Sequence, residues 1–276
     1  MSRIALLSDI HGNATALEAV LHDAAGQGAT AYWHLGDAIG PGPGFPDIAG
    51  HLADVGTDVH VRGNWDDAIE EVRRGEVDLN DHSDIYVTVF VAWLLDRITS
   101  QQAAAVAAWP LADTRQIAGL RVQACHNLPH VNHGRGLFVT SPQEDLAGLC
   151  GDADVTVFGH YHEQTLRWSQ GRVKLVVSPG SVGSAWAPRQ GLPPAEYAIL
   201  RLSEGEAPSV DFRSVAYDHA RELARARAAQ LPYLELYEHQ VMRSLTYTHD
   251  QDVLRAIEAR EGYRAVAERF LARLSP

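Results

Sequence analysis

The sequence predicts an α/β fold with a partly parallel sheet, followed by a helical tail. Three observations point to it. The chain opens with a compact apolar strand, a helix and a second strand, in β-α-β order. Short strands dominate from Gln164 to Phe212. Beyond Ala216 the spacing of apolar residues becomes purely helical.

Arg3 to Ser8 is the first strand, and Asn13 to Gln27 carries Leu17, Val20, Leu21 and Ala24 at helical spacing. Ala31 to Leu35 follows as a strand, Ile48 to Val55 as a short helix, and Asp58 to Val61 as a strand leading to Asn64. His82 to Ile98 and Gln101 to Trp109 read as helices, the second closed by Pro110. Thr114 to Ile117 and Leu120 to Cys125 form a hairpin turning at Gly119. Pro142 to Leu149 is helical, and Val155 to Phe158 is a buried strand. Thr165 to Trp168, Val173 to Val177, Tyr197 to Leu202 and Val210 to Phe212 complete the strands. In the tail, Asp218 to Gln230 stops at Pro232 and Leu234 to Ser244 is a further short helix. Asp252 is placed as the cap of one last helix, with Val253, Ile257, Val266, Phe270 and Leu274 on one face. The expected division is a domain over 1–215 and a helical extension over 216–276 packed on it.

With 276 residues and 46% hydrophobic content, the chain can bury a substantial core. The balance of 23 basic against 35 acidic residues, net −12, argues against a duplex nucleic-acid partner. Two cysteines, Cys125 and Cys150, without CxxC spacing, indicate neither a disulfide framework nor a thiolate zinc site. Cys125 reads as a small buried apolar residue. The opening MSRIALLSDI is too short in its apolar part for a signal peptide. The longest uncharged apolar run, Ile85 to Leu95, falls well short of the roughly 20 residues that span a bilayer. A cytoplasmic protein without a membrane partner is expected. That apolar run is read as a core helix, with a dimer face as the alternative, so homo-oligomerisation stays open.

Polar residues of a particular kind stand at the exit of strand after strand. The first strand ends in Asp9-Ile10-His11, the second in Gly36-Asp37, and the third in Gly63-Asn64. Later strands end at His126 and at Gly159-His160-Tyr161-His162. Strand exits are where open α/β sheets bind ligands, so seven side chains from five strand ends are expected to converge. Two aspartates, four histidines and one asparagine offer oxygen and imidazole donors without a thiolate. That set suits Mn²⁺, Fe²⁺, Ni²⁺ or Zn²⁺ and is poorly matched to Ca²⁺. Asp9/His11 and His160/His162 are each two apart, so on extended backbone each pair faces one way. Taken singly, Asp9 reads equally well as a helix cap, Gly36-Asp37 as a turn and His126 as a satisfied polar group. Five such coincidences at five strand ends favour the ligand reading. Seven donors exceed the need of one four-coordinate ion and suit two ions sharing a carboxylate.

The ordered set DxH, GD, GN, H and GHxH resembles the signature of the calcineurin-like metallophosphoesterases. The matching segments are Asp9-Ile10-His11-Gly12-Asn13, Leu35-Gly36-Asp37, Arg62-Gly63-Asn64-Trp65-Asp66, His126 and Gly159-His160-Tyr161-His162. Ser178-Pro179-Gly180-Ser181-Val182-Gly183 is similar to a segment of the smaller prokaryotic phosphodiesterase branch. The similarity runs from about Met1 to Val215, and the tail carries no motif. The resemblance implies a four-layer α-β-β-α sandwich and a dinuclear metal site, with Mn²⁺ the first choice and Fe²⁺, Ni²⁺ or Zn²⁺ as alternatives. It further implies Asp9, His11 and His162 as ligands of the first ion, Asn64, His126 and His160 of the second, and Asp37 as the bridge. Asn64 and His126 are also the candidate catalytic residues.

Two ions about 3.5–4 Å apart hold a hydroxide at neutral pH, aim it at phosphorus and neutralise the charge that builds in the transition state. Asp9 and Asp37 contribute −2, two divalent ions +4 and a hydroxide −1, so the site is about +1 despite the acidic chain. Asn13 and the helix after it are candidates to support the phosphate or the ligands. The departure from the family pattern is Trp65. Many members carry there a histidine that helps the leaving group, and an indole cannot act as an acid at neutral pH. That favours good leaving groups, or an acid from elsewhere, for which His130 and His133 are candidates, though solvated loop residues are their first reading. Asp66 and Asp67 either support a ligand or start the next helix. Gly40-Pro41-Gly42-Pro43-Gly44-Phe45, after the bridging aspartate, reads equally as a lining of the cleft and as a rigid connection. Arg62 and Arg135 read as surface charges with phosphate contact as the alternative.

The leading expectation is a phosphodiesterase acting on a small nucleotide-like phosphoester. The alternatives are a phosphoprotein phosphatase, a dinucleoside polyphosphate hydrolase, or an interaction scaffold with weak catalysis.

Overall fold

The computed structural model describes residues 1–135, 140–142, 144–168, 174–185 and 191–274. Two five-stranded sheets lie face to face. The first has the order β10-β9-β1-β2-β3, built from β1 (Ser2–Leu7), β2 (Ala31–His34), β3 (Val59–His60), β9 (Ala195–Leu202) and β10 (Ser209–Val215). The second has the order β4-β5-β6-β8-β7, from β4 (Ala112–Ile117), β5 (Leu120–Cys125), β6 (Val155–Val157), β7 (Gln164–Trp168) and β8 (Leu175–Pro179). Strands β1, β2 and β3 run parallel, as do β5, β6 and β8, while the outer strands return antiparallel.

The near-continuous apolar character of β1 follows from burial on both faces. Ile4 and Leu6 point into the layer between the sheets, with Val122, Val155, Val177 and Leu200. Ala5 and Leu7 point the other way, onto helices. That helical layer contains α1 (Ala14–Gly26), α2 (Phe45–Asp54), α3 (Asn64–Arg73), α4 (His82–Leu95) and α5 (Ser100–Ala107). The opposite face of the second sheet is covered by α6 (Leu146–Cys150), through Cys125, Leu146, Leu149 and Phe158. The order helix, sheet, sheet, helix is the expected four-layer sandwich.

Four helices follow β10: α7 (His219–Ala228), α8 (Leu234–Arg243), α9 (Gln251–Glu261) and α10 (Tyr263–Leu274). They share the main core, since Leu223, Ala226, Tyr237, Val241 and Phe270 pack with residues of α1, α2 and α4. Tyr233, Leu236, Leu254, Ile257 and Ala267 join Ile85, Tyr86 and Val89 of α4 in a second cluster. The apolar Ile85–Leu95 segment is therefore a core helix, buried from both sides.

Several element boundaries differ from expectation, while the hairpin turns where expected. The last helix is two helices, because Gly262 adopts a left-handed φ of 71° and caps α9. Its N-cap is Asp250, whose carboxylate accepts from the Val253 amide, and Asp252 lies inside the first turn. Helix α2 starts three residues earlier than Ile48, with Pro46 in its first turn where a missing N–H costs nothing. The hairpin turns through Ala118 and Gly119, both at positive φ, the geometry that matches strand twist. Helix α6 and strand β8 begin later than Pro142 and Val173; Gln143 and Val173 lie outside the described residues. Among the described residues, no helix is long and apolar enough to cross a membrane.

Candidate metal centre

The exits of β1, β2, β3, β5 and β6 open on one edge of the sandwich, and the predicted residues meet there. His11 Nε2 lies 3.8 Å from Asp9 Oδ1 and 3.7 Å from Asp37 Oδ2. His126 Nε2 lies 3.9 Å from Asp9 Oδ1 and 3.4 Å from Asp37 Oδ2. His162 Nε2 approaches Asp9 Oδ1 to 3.1 Å and His11 Nε2 to 3.0 Å. Two overlapping donor groups result: Asp9 with His11 and His162, and Asp9 with Asp37 and His126. Asp9 thus belongs to both groups, beside the expected bridge Asp37. Asn64 and His160 form the rim, with His160 Nδ1 3.0 Å from Asn64 Oδ1 and Nε2 3.0 Å from the Gly134 carbonyl.

Backbone strain accompanies the donors. Asp9, His11, Asp37, His160 and His162 all have φ between 50° and 71°, a region that non-glycine residues avoid. The expectation that both DxH and HxH lie on extended backbone is therefore corrected. The side chains turn inward from left-handed turns after the strands, and His160 points to Asn64 rather than beside His162. The glycines of the motifs serve close approach. A Cβ on Gly36 would overlap His126 Nδ1, one on Gly63 would overlap Asp37 Oδ1, and one on Gly159 would overlap Ser8 Oγ.

Neighbouring groups hold this geometry. Asp66 accepts the amides of Asp37, Ala38, Ile39 and Gly63, so its carboxylate fixes the Asp37 turn and starts α3 in one stroke. The Trp65 amide donates to Asp37 Oδ1 at 2.8 Å. Ser8 Oγ donates to Asp9 Oδ2 at 2.5 Å, and Ser181 Oγ donates to the Asp9 carbonyl. The amides of Val182 and Gly183 bond to the carbonyls of Ser8 and Asp9, which explains the SPGSVG segment as a brace for the Asp9 turn. His11 and His126 each turn Nδ1 to a carbonyl, of Gly40 at 2.6 Å and Leu35 at 2.7 Å, leaving Nε2 to face the carboxylates.

The electrostatics suit a cation. Burial opposes charge on Asp9 and Asp37, yet the surrounding imidazoles hold both well below the usual carboxylate range. Burial likewise lowers the histidines, but Asp37 and Asp9 outweigh it at His126, pushed up to about 10, and Asp9 raises His162. His11 is lowered by burial and by His162, and His160 falls to about 4 through burial and His126. Although His162 and Asp37 stand near them, neither the buried Asp9 Oδ1 nor the buried His126 Nε2 makes a well-directed hydrogen bond. Two buried ligand atoms 3.9 Å apart without well-directed hydrogen bonds, from groups that bind divalent transition ions, fit a metal site.

Above the donors lies a cleft of about 460 Å³, lined by His11, Asp37, Asn64, His160 and His162, and by Pro41, Trp65 and Ser184. Trp65 serves two purposes: it lines the cleft and packs edge-on against Tyr86 and Phe90. Opposite stand Gln240 of α8 and Ser244, Leu245, Thr246, Thr248, His249 and Asp250 of the turn between α8 and α9. Nothing in the sequence marks that turn beyond Ser244, Thr246, Thr248 and Asp250 between two helical stretches, which signals only a loop.

Several candidates stand elsewhere. Asn13 caps α1 and donates to the Tyr217 hydroxyl. Arg62 bonds to the carbonyls of Ala107 and Trp109 and pairs with Asp67. His130, His133 and Arg135 are exposed, and neither histidine is among the described residues lining the cleft. Cys125 is fully buried, and burial pushes its thiol up.

A family profile for the calcineurin-like phosphoesterase superfamily domain matches residues 2–205. The chain belongs to that superfamily. Its members are metal-dependent phosphoesterases, and this calcineurin-like chain carries the candidate ligands on the matched segment. It is 28% identical over 245 residues to an uncharacterized protein of Methanocaldococcus jannaschii, covering 84% of this chain and 94% of that one. A hypothetical protein of Pyrococcus horikoshii OT3 shares the fold at a TM-score of 0.70 and 18% identity, over 89% of this chain and 100% of the other. A metallophosphoesterase from Sphaerobacter thermophilus does so at 0.67 and 23%, over 88% and 100%.

Proposed function

We propose that this calcineurin-like protein is a dinuclear-metal phosphodiesterase acting on a small nucleotide-like substrate. The observation that carries the reading is the pair of overlapping donor groups sharing Asp9, with Asp9 Oδ1 and His126 Nε2 making no well-directed hydrogen bond at the floor of a cleft. In this reading Asp9, His11 and His162 would hold one ion and His126, Asn64 and His160 the other, with Asp37, which reaches both His11 and His126, shared between them. When bound, two divalent ions supply Lewis acidity toward the phosphoryl oxygens and lower the pKa of water to near neutrality. The chain supplies the rest. Asp66 and the strained turns fix Asp37 before substrate arrives, so little reorganisation accompanies reaction. The cleft accepts a ligand of small-molecule size, and the indole of Trp65 offers it an aromatic surface against which a base can stack.

The test is hydrolysis of bis(4-nitrophenyl) phosphate by protein loaded in parallel with Mn²⁺, Fe²⁺, Ni²⁺ and Zn²⁺. Asp37→Ala and His160→Ala are expected to abolish turnover, and unchanged rates in both would sink the assignment. A panel of phosphomonoesters, cyclic and linear nucleotide diesters and dinucleoside polyphosphates separates the diesterase reading from its relatives.

A further inference from the structure

The cleft contains more than the donors at its floor. Among the described residues, its titratable lining side chains are His11, Asp37, His160, His162, His249 and Asp250. The first four belong to the proposed metal centre. Asp250 is engaged as the N-cap of α9, its carboxylate accepting from the Val253 amide at 3.1 Å. Trp65 offers an N–H that does not ionise at neutral pH. His249 is therefore the one described lining side chain outside that centre that both carries a proton near neutral pH as a side-chain type and is exposed to deliver it.

The turn that carries His249 is anchored at both ends. Ser244 ends α8 in a left-handed conformation, its amide bonded to the Gln240 carbonyl, and is itself buried. At the other end Gln251 accepts from the His82 amide and donates to Asp81 Oδ1 and Ser83 Oγ, which clasps α9 onto the start of α4. Asp81 also feels His249. Against the opposing effect of burial, the Ser83 amide, Gln251 and the charge of His249 together hold its carboxyl below the ordinary range. A carboxylate fixed at the start of α4 is thus among the groups around His249.

We infer that the turn between α8 and α9 completes the catalytic site, and that His249 is the general acid that protonates the leaving-group oxygen. The inference rests on the phosphodiesterase reading. In the step, attack of water at phosphorus breaks the bond to the leaving oxygen, and both electrons of that bond pass to the oxygen. The His249 imidazolium gives that oxygen its proton. The resulting imidazole recovers a proton through solvent, balancing the one released by the attacking water. One diester and one water become one monoester and one alcohol. The helical tail thereby replaces a function that Trp65 cannot perform.

The experiment compares His249→Gln with wild type on two diesters that differ in leaving group, 4-nitrophenyl methyl phosphate and a dinucleoside monophosphate. An aryloxide departs without a proton, whereas a ribose alkoxide needs one. Loss of a general acid costs about 10²–10⁴-fold. H249Q should lower kcat on the dinucleotide by about 100-fold or more and remove the alkaline limb of its pH profile. The aryl rate and the bound metal, measured by elemental analysis, should stay within about twofold. As a readout independent of turnover, the His249 ring resonance in the zinc-loaded protein should shift on adding phenylphosphonate. Equal loss on both substrates, no loss on either, or an unmoved resonance while phenylphosphonate inhibits would overturn the acid role and leave the phosphodiesterase reading intact. Absence of diester hydrolysis in the wild type would overturn both.

Discussion

At Gly63 the absent side chain matters more than any present one, because a Cβ there would occupy the space of Asp37 Oδ1. Gly63→Ala is expected to displace Asp37 by an ångström or so, enough to cost about 100-fold in turnover of an aryl phosphodiester. Far-UV circular dichroism should stay unchanged, and elemental analysis should show reduced metal content. The donors themselves were legible from sequence, since Asp9, His11, Asp37, His126 and His162 are residue types that ligate metals and each follows a strand. Their backbone conformation was not. A two-residue spacing suggests extended chain, yet Asp9 and His160 adopt left-handed turns, Asp9 braced by SPGSVG and the His160 amide bonded to Asp9 Oδ2. Long-range hydrogen bonds of that sort leave no local trace. Asp66 was visible only as a choice between helix start and ligand support, and it is both.

The elements are secured by a few polar ties that can be tested singly. Asp23 of α1 accepts both Arg213 of β10, at 3.0 Å through each of two nitrogens, and the Tyr197 hydroxyl of β9. Arg213 foremost, with Tyr197, holds the Asp23 carboxyl below its usual value despite the opposing effect of burial. A depressed carboxylate stabilises the fold above its unfolded pKa, and that stability is lost as pH falls through the folded value. Asp23→Asn should therefore cost about 1 kcal/mol in urea unfolding at pH 7. The gap to wild type should close as pH drops below 3.8. At Gly262 the cost is conformational alone, because an added Cβ meets nothing within 4 Å. Gly262→Ala should destabilise by about 1 kcal/mol and lower the melting temperature by roughly 2–4 °C. The helical period from Asp252 to Leu274 concealed this break, since both helices keep apolar residues on the side facing α4.

For the whole molecule, the tail is continuous with the core. Tyr237 donates to the buried Glu222, which also accepts from Thr15 of α1, and Phe270 packs in the main cluster. A chain ending at residue 215 would expose one side of α4, including Ile85, Tyr86 and Val89. Such a truncation is expected to bind a hydrophobic dye and to unfold without a cooperative transition, whereas the full chain melts cooperatively. The layered fold was readable because strand and helix periods differ along the sequence. The placement of the tail over the cleft was not, because amphipathic helices disclose that they pack and not where. Chelation gives a second global test. Ions that bind only the folded protein stabilise it by about 2.7 kcal/mol at 100 times their Kd, so removal should lower the melting temperature.

The left-handed turns bear on how portable this centre is. Grafting the seven donor side chains onto another parallel sheet would reproduce the residue list and none of its aim. Each of the five strained positions carries a penalty of about 1–3 kcal/mol that a new host would have to offset. The graft would also have to import Gly36, Gly63 and Gly159 together with the Asp66 carboxylate that gathers the amides. The transferable unit is a set of loops closed upon one another, so a designer would do better to copy the sandwich edge whole.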